Sequence, residues 1–168
     1  MAEESHITPE ARAFIGRTLT KGPNLVTKRD IRRWAYAIGD SNPMGLDDDV
    51  AKGTHYGSVV APPFFFTAFH LEEEPLEDLE ASGLGTKMGL RMEVPVPGFV
   101  GAVAGGREVW FGEPIRPGDE ITVEQKIVDI YEKQGRSGPM VFIIDEWTYT
   151  NQRDEVLVRS RETLIRVK

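Results

Sequence analysis

Cysteine is absent from the 168-residue chain, which excludes disulfides, thiolate metal sites and a cysteine nucleophile. Histidine is scarce, at three, and neither the histidines nor the scattered carboxylates fall at metal-ligand spacing, so no metal site is predicted. No apolar run approaches the about 20 residues that cross a bilayer. The opening MAEESHITPEARAF has neither a basic nor an apolar leader region. These patterns predict no membrane span, no secretory leader and a cytoplasmic compartment, which the lack of cysteine also suits. An excess of positive charge is missing too. The net charge of −7 argues against nucleic acid as a partner, because that needs a basic face. Internal repeats and low-complexity tracts are lacking.

What is present suits one domain spanning residues 1–168: 40% of residues are hydrophobic and 28% charged, and the length allows a real core. Thr8-Pro9-Glu10 reads as a cap followed by proline at the first helical position, opening a short helix to about Ile15. A second helix starts at Thr27, with Asp30 placed for a capping box and Val26 and Ile31 at the staple positions. Ile31, Trp34, Ala35 and Ile38 then recur at helical spacing. Gly39 ends this helix and Pro43 prevents its continuation, which puts Asp40 and Asn42 in the turn beyond. Asp47 to Lys52 adds a helical turn. Phe64 to Phe69 is apolar on every side and is expected to be buried, as a short helix opened by Pro62 and Pro63.

Residues 72 to 105 show no period, and the reading there divides between a lid and a passive surface excursion. From Gly106 the pattern turns to strand. Arg107 to Phe111 forms a first run, closed by Arg116-Pro117-Gly118-Asp119. Ile121 to Glu124 alternates, and its phase slips near Ile127-Val128, which predicts a bulge. Met140 to Thr150 and Val156 to Val167 complete an antiparallel meander. The class is α+β, helices first and sheet second.

Four segments together resemble the MaoC-like dehydratase family, particularly its N-terminal-domain branch. They are IRRWAYAIGDSNP (31–43), GSVVAPP (57–63), GREVWFGEPIRPGD (106–119) and GRSGPMVFIIDEWTYTNQRDEVLVRSRETLIR (135–166). The resemblance implies a hot-dog fold, a curved antiparallel sheet wrapped around a central helix, here Phe64 to Phe69. It also implies that two hot dogs pair, with acyl-coenzyme A bound along the seam and no separate cofactor. Active members draw an aspartate and a histidine from an Asp-x-Asn-Pro-x-His pattern, and a backbone N–H at the start of the central helix binds the thioester oxygen.

This chain keeps Asp40, Asn42 and Pro43 but carries Gly45 where the histidine belongs. Pro62-Pro63 stands where the family has His-Gly, so two potential backbone donors are lost. The resemblance therefore implies a substrate-holding subunit of a heteromeric 2-enoyl-CoA hydratase. The catalytic MaoC-like hot-dog partner would join it in a heterodimer or heterotetramer, and the acyl group would be bulky, a steroid side chain or a fatty acyl.

Asp40 and Asn42 divide between vestigial catalysis and plain turn closure. Phe64, Phe65, Phe66 and Phe69, with Pro62 and Pro63, divide between an acyl cavity and core filling. Arg116 and Arg136, in turns, suit the phosphates of coenzyme A or simple solvation. Trp34 and Trp110 are expected to pack, and His70 to close a helix end. Three rivals remain: a self-sufficient hydratase using Asp40 with His55 or a positioned water, an acyl-CoA thioesterase, and a binding module without chemistry.

Overall fold

The computed structural model describes residues 5–69, 75–79, 81 and 91–168. His70, residues 72–74 and 80 of the acidic stretch from Glu72 to Glu80, and part of the expected long loop lie outside the described residues.

Local chemistry sets the helices. Thr8 accepts from the Ala11 N–H and opens α1 (Pro9–Arg12). This helix stops short of the expected Ile15 because the chain turns into the sheet, where the Gly16 N–H donates to the Ile127 carbonyl at 2.8 Å. In α2 (Lys28–Ala37) the capping box forms in both directions between Thr27 and Asp30. Val26 and Ile31 are both buried. Two short helices follow, α3 (Pro43–Leu46) and α4 (Asp48–Lys52). The phenylalanine-rich segment is helical from the prolines, as expected, but as a 3-10 turn over Pro63–Phe69. Its first bond runs from the Phe65 N–H to the Pro62 carbonyl at 2.9 Å.

The sheet contains β1 (Thr18–Leu25), β2 (Gly101–Phe111), β3 (Glu120–Gly135), β4 (Gly138–Thr150) and β5 (Val156–Val167). All pairings are antiparallel in the order β1-β3-β4-β5-β2. β3, β4 and β5 make the expected meander, and the register of β3 slips between Ile127 and Asp129, where the alternation predicted a bulge. β1 was not legible. Its sequence TLTKGPNL is polar and broken by Gly-Pro, and proline is tolerated because this is an edge strand. The ladder skips Gly22 and Pro23. Gly22 has φ +116°, and a Cβ there would lie 2.6 Å from the Ile121 carbonyl oxygen. β2 also starts earlier than its sequence suggests, at Gly101. A curved antiparallel sheet with a short helix on its inner face is the hot-dog arrangement, and the α+β class holds. Among the described residues no helix is long and apolar enough to cross a membrane.

The inner face carries two apolar clusters. One joins Ile31, Phe65, Phe66, Ile121, Trp147, Tyr149 and Leu157 beneath the helices. The other joins Ile127, Ile130, Val141 and Ile143 to Val94, Val96 and Phe99, so these three residues of the expected loop are core. Between them runs a charged belt. Asp145 and Glu162 are direct cross-strand partners, and so are Glu162 and Arg107. Arg91 clamps both acids, reaching Asp145 and Glu162 at 2.9 Å each, and Arg107 meets Glu162 at 2.9 Å. Burial pushes the Asp145 carboxyl up to about 6, against the pull of Arg91, and Glu162 adds to the rise.

That shift has a sign. Unfolded, Asp145 ionises near its ordinary 3.8. Between 3.8 and about 6 the folded chain holds a proton that the unfolded chain has lost, so stability falls as pH rises through this window and the loss is complete above it. Asp145→Asn removes the titration. Its stability relative to the parent, from urea unfolding at successive pH values, is expected to rise by up to about 3 kcal/mol between pH 4 and pH 7. A difference that stays flat with pH would contradict a buried, proton-binding Asp145.

Candidate functional site

Residues distant in sequence meet in a cavity of about 290 Å3. It is bounded by Asp40, Asn42 and Gly45 after α2, by Pro62 and Pro63 at the start of the 3-10 segment, and by Phe111 and Glu113 at the end of β2.

The local folding of each piece follows from its residues. Gly39 takes φ +71° and ends α2, and the Asp40 N–H returns to the Ala35 carbonyl at 2.8 Å. The Asp40 carboxylate accepts from the Asn42 N–H at 2.9 Å. The Asn42 side-chain oxygen in turn accepts from the Met44 N–H at 3.1 Å and caps α3. Both side chains therefore close the turn. Gly45 is buried, and a Cβ there would meet only the Val60 carbonyl oxygen, at 3.4 Å. The Ala61 N–H bonds the Ile115 carbonyl at 2.9 Å and stitches the proline segment to the turn after β2.

The lining residues with polar side chains are Asp40, Asn42, Tyr56 and Glu113, which carry two carboxylates, an amide and a phenol. Among the described residues no imidazole lines it. His55 is exposed and lies against the Tyr56 ring, centroids 3.7 Å apart, and is not among the lining residues. The prolines offer no N–H to a developing oxyanion. Carboxylates and a phenol are groups that can exchange protons.

The structure distributes the other sequence-derived residues. Phe66 is fully buried, edge-on to Tyr149 at 5.1 Å. Phe65 and Phe69 face a different recess, between β1 and α2. Phe64 is half exposed and touches Phe111 edge-on at 6.4 Å. Arg116 is a strut: its Nη1 donates to the Tyr56 carbonyl at 2.6 Å and to the Ser58 hydroxyl at 2.8 Å. Arg136 is exposed in the turn between β3 and β4, at the opposite end of the sheet from the Leu157 and Val158 that line the cavity. Trp34 packs edge-on against Phe65, whereas Trp110 is 55% exposed on β2. Tyr56, Phe111 and Glu113 were not anticipated as lining residues, and only their position beside GSVVAPP and after the first strand run hinted at it. Among the described residues, no three of His, Cys, Asp or Glu cluster to hold a metal ion.

The family model that matches is the FAS1-like dehydratase domain region, over residues 13–160. A probable enoyl-CoA hydratase alpha subunit from Thermomonospora curvata is 33% identical over 94% of this chain, which spans 50% of that protein. The 3-oxo-4,17-pregnadiene-20-carboxyl-CoA hydratase alpha subunit of Mycobacterium tuberculosis is 26% identical over 73% of this chain and 36% of its own length. The chain thus covers half or less of each. The crystal structure of the ChsH1–ChsH2 complex from Mycobacterium tuberculosis superposes with a TM-score of 0.69 at 21% identity, covering 89% of this chain and 83% of the other.

The strut is testable without an assay. Arg116→Ala removes two charge-assisted bonds from a partly buried loop and is expected to cost about 2 kcal/mol in urea unfolding. Loss of less than about 0.5 kcal/mol would show that the loop holds without it.

Proposed function

The chain belongs to the FAS1-like dehydratase-region family and has the hot-dog fold of MaoC-like dehydratases; on that premise we propose that it is the substrate-holding, non-catalytic subunit of a heteromeric 2-enoyl-CoA hydratase. One observation carries the reading: Gly45, Pro62 and Pro63 line the same cavity as Asp40 and Asn42. The three departures from the family pattern leave one site without the family's own proton shuttle, the histidine, and without its own oxyanion donors, the backbone N–H groups. Adding water across an enoyl thioester needs both. The partner supplies them, and this chain holds the acyl-coenzyme A.

The two edges of the sheet support a hot-dog partner docked along β2. Edge β1 is interrupted by Gly22-Pro23, a feature that blunts strand pairing. Edge β2 runs 11 residues without proline. It exposes Phe111, which lines the cavity and meets the half-exposed Phe64 ring, and the neighbouring Trp110 on the other face of the strand. A second sheet pairing there would cover these rings and bring its own dyad to the cavity. The names of the two relatives, both alpha subunits of hydratases, are consistent with such a division of labour. The second of them also supports a bulky, steroid-derived acyl group as the substrate.

The test is reconstitution. The purified chain is expected to leave crotonyl-CoA and bulkier 2-enoyl-CoAs unhydrated and to release no free coenzyme A. The same chain with a hot-dog protein carrying an intact Asp-x-Asn-Pro-x-His pattern is expected to hydrate them. Trp110→Glu is expected to weaken co-purification about tenfold or more. Restoring the imidazole and the donor together (Gly45→His, Pro62→His, Pro63→Gly) is expected to raise activity of the chain alone by about 100-fold or more over the parent. Hydration by the parent chain alone, lost on Asp40→Ala, would overturn the reading, and thioester hydrolysis would move the chain to a thioesterase.

A further inference from the structure

Side chains alternate along a strand, so the neighbours of Ile130, Val141, Ile143 and Leu164 in the inner cluster point to the opposite, outer face of the sheet. The strand registers align four of them, Tyr131, Phe142, Ile165 and Val103, in one row across β3, β4, β5 and β2. The Tyr131 and Phe142 rings stack in parallel with centroids 4.9 Å apart. Val103 is 51% exposed, and the other three are partly exposed. Met140 and Val167 extend this apolar surface toward the β3–β4 turn, and Ile144 extends it the other way.

A solvated outer face keeps polar residues at these positions. Here the run MVFII over residues 140–144 is apolar without a break, the pattern of a strand covered on both sides. Further along the same strands the alternation returns, and the outward Arg161 pairs with the outward Glu146 at 3.5 Å. The face is therefore built to be covered at one end only. Strand spacing and the two-residue repeat give the apolar patch about 400 Å2. With the charged rows that flank it the footprint reaches about 650 Å2 on each side, or about 1,300 Å2 for two such faces, which clears what a specific interface needs.

We propose that a second copy of this chain packs against this face, back to back. The charges identify the occupant. Asp129 and Lys133 are exposed and outward on β3, one row to either side of Tyr131. Lys133 rests over the Tyr131 and Phe142 rings, at 5.1 Å and 5.3 Å from their centroids, and among the described residues neither charge has an ion-pair partner. A twofold axis lying between two copies, along the Tyr131–Val103 row, sets each strand over its own copy with its direction reversed. Each Lys133 then stands over the other copy's Asp129, and the apolar rows meet each other. The face is complementary to itself. Such a dimer leaves both β2 edges free, so a hot-dog partner on each gives an assembly with two of each chain. The pairing needs neither that partner nor hydratase activity, and it stands or falls apart from the reading above.

The experiment is sedimentation velocity on the purified chain alone over a dilution series, where a dimer that dissociates on dilution is expected. Phe142→Glu is expected to leave only monomer. Lys133→Asp, or Asp129→Lys, sets like charges opposite each other twice in the interface and is expected to weaken the dimer about tenfold or more. The two changes together exchange the charges and are expected to restore it, a rescue that a merely structural role for either residue would not give. Both positions are exposed, so these variants carry the test even where Phe142→Glu does not fold. The chain has no cysteine, so Phe142→Cys introduces a lone thiol that lies beside the axis and is expected to cross-link two copies on oxidation. Thr148→Cys, on the same face of β4 about 20 Å away, is expected to stay unlinked. A chain that is monomeric throughout the series would overturn the proposal. So would a dimer indifferent to the charge changes, a double exchange that fails to rescue, or cross-linking through position 148 in place of 142.

Discussion

The packing of Phe66 under the sheet is the constraint on which the site depends. Its side chain has no exposed surface and lies between the rings of Tyr149 and Phe111. Burial of a ring of this size contributes about 2–3 kcal/mol, and the edge-to-face geometry adds to it. Because Phe66 is only three residues beyond Pro63, anchoring it also fixes the prolines at the cavity. Phe65, on the neighbouring position, is turned toward Trp34 and ties the same segment to α2. The turn carrying Asp40 and Asn42 follows α2 directly. One short apolar segment thus sets the distance between the two halves of the site.

The charged belt is the second constraint, of the opposite kind. Two acids and two arginines at one level of the inner face keep the apolar clusters apart, and their charges balance when all are ionised. Burying them is costly, and removing one partner strands another. Gln125, fully buried beside them, accepts from the Met92 N–H at 2.7 Å. Together with Arg91 this pins the segment from Arg91 to Phe99 across the sheet. The Arg166 guanidinium completes the attachment by donating to the Phe99 carbonyl at 2.7 Å. A stretch with no hydrophobic period is held by specific polar bonds at its ends and by Val94, Val96 and Phe99 between them.

Much of the fold was legible because its signals are local. The Thr27–Asp30 box, the glycine stop at Gly39, the meander and the slip at Ile127 each depend on neighbours a few residues apart. β1 was not legible, since an exposed edge strand needs no alternation and this one holds Gly-Pro. The 91–99 segment was not legible either, because its order comes from Gln125, Asp145, Glu162 and Arg166, which no local window contains. At the site, Asp40, Asn42, Pro62 and Pro63 were legible through their motif spacing. Tyr56 and Glu113 were not, as a lone tyrosine and a lone glutamate in loops carry no pattern. Phe65 and Phe69 were grouped with the acyl cavity because they adjoin Phe64 and Phe66. A 3-10 turn points neighbouring side chains in different directions, and these two face the recess by Trp34 instead.

The sequence alone determined which groups this chain can bring to chemistry. A missing imidazole at position 45 and missing N–H groups at 62 and 63 are facts of covalent structure, which no folding can restore. Tertiary structure decided that these gaps fall in one cavity, that His55 stays outside it, and that Arg116 is spent on the Tyr56 loop. Those outcomes depend on long-range strand register and on the packing of one buried ring, and neither can be read from residues adjacent in the chain.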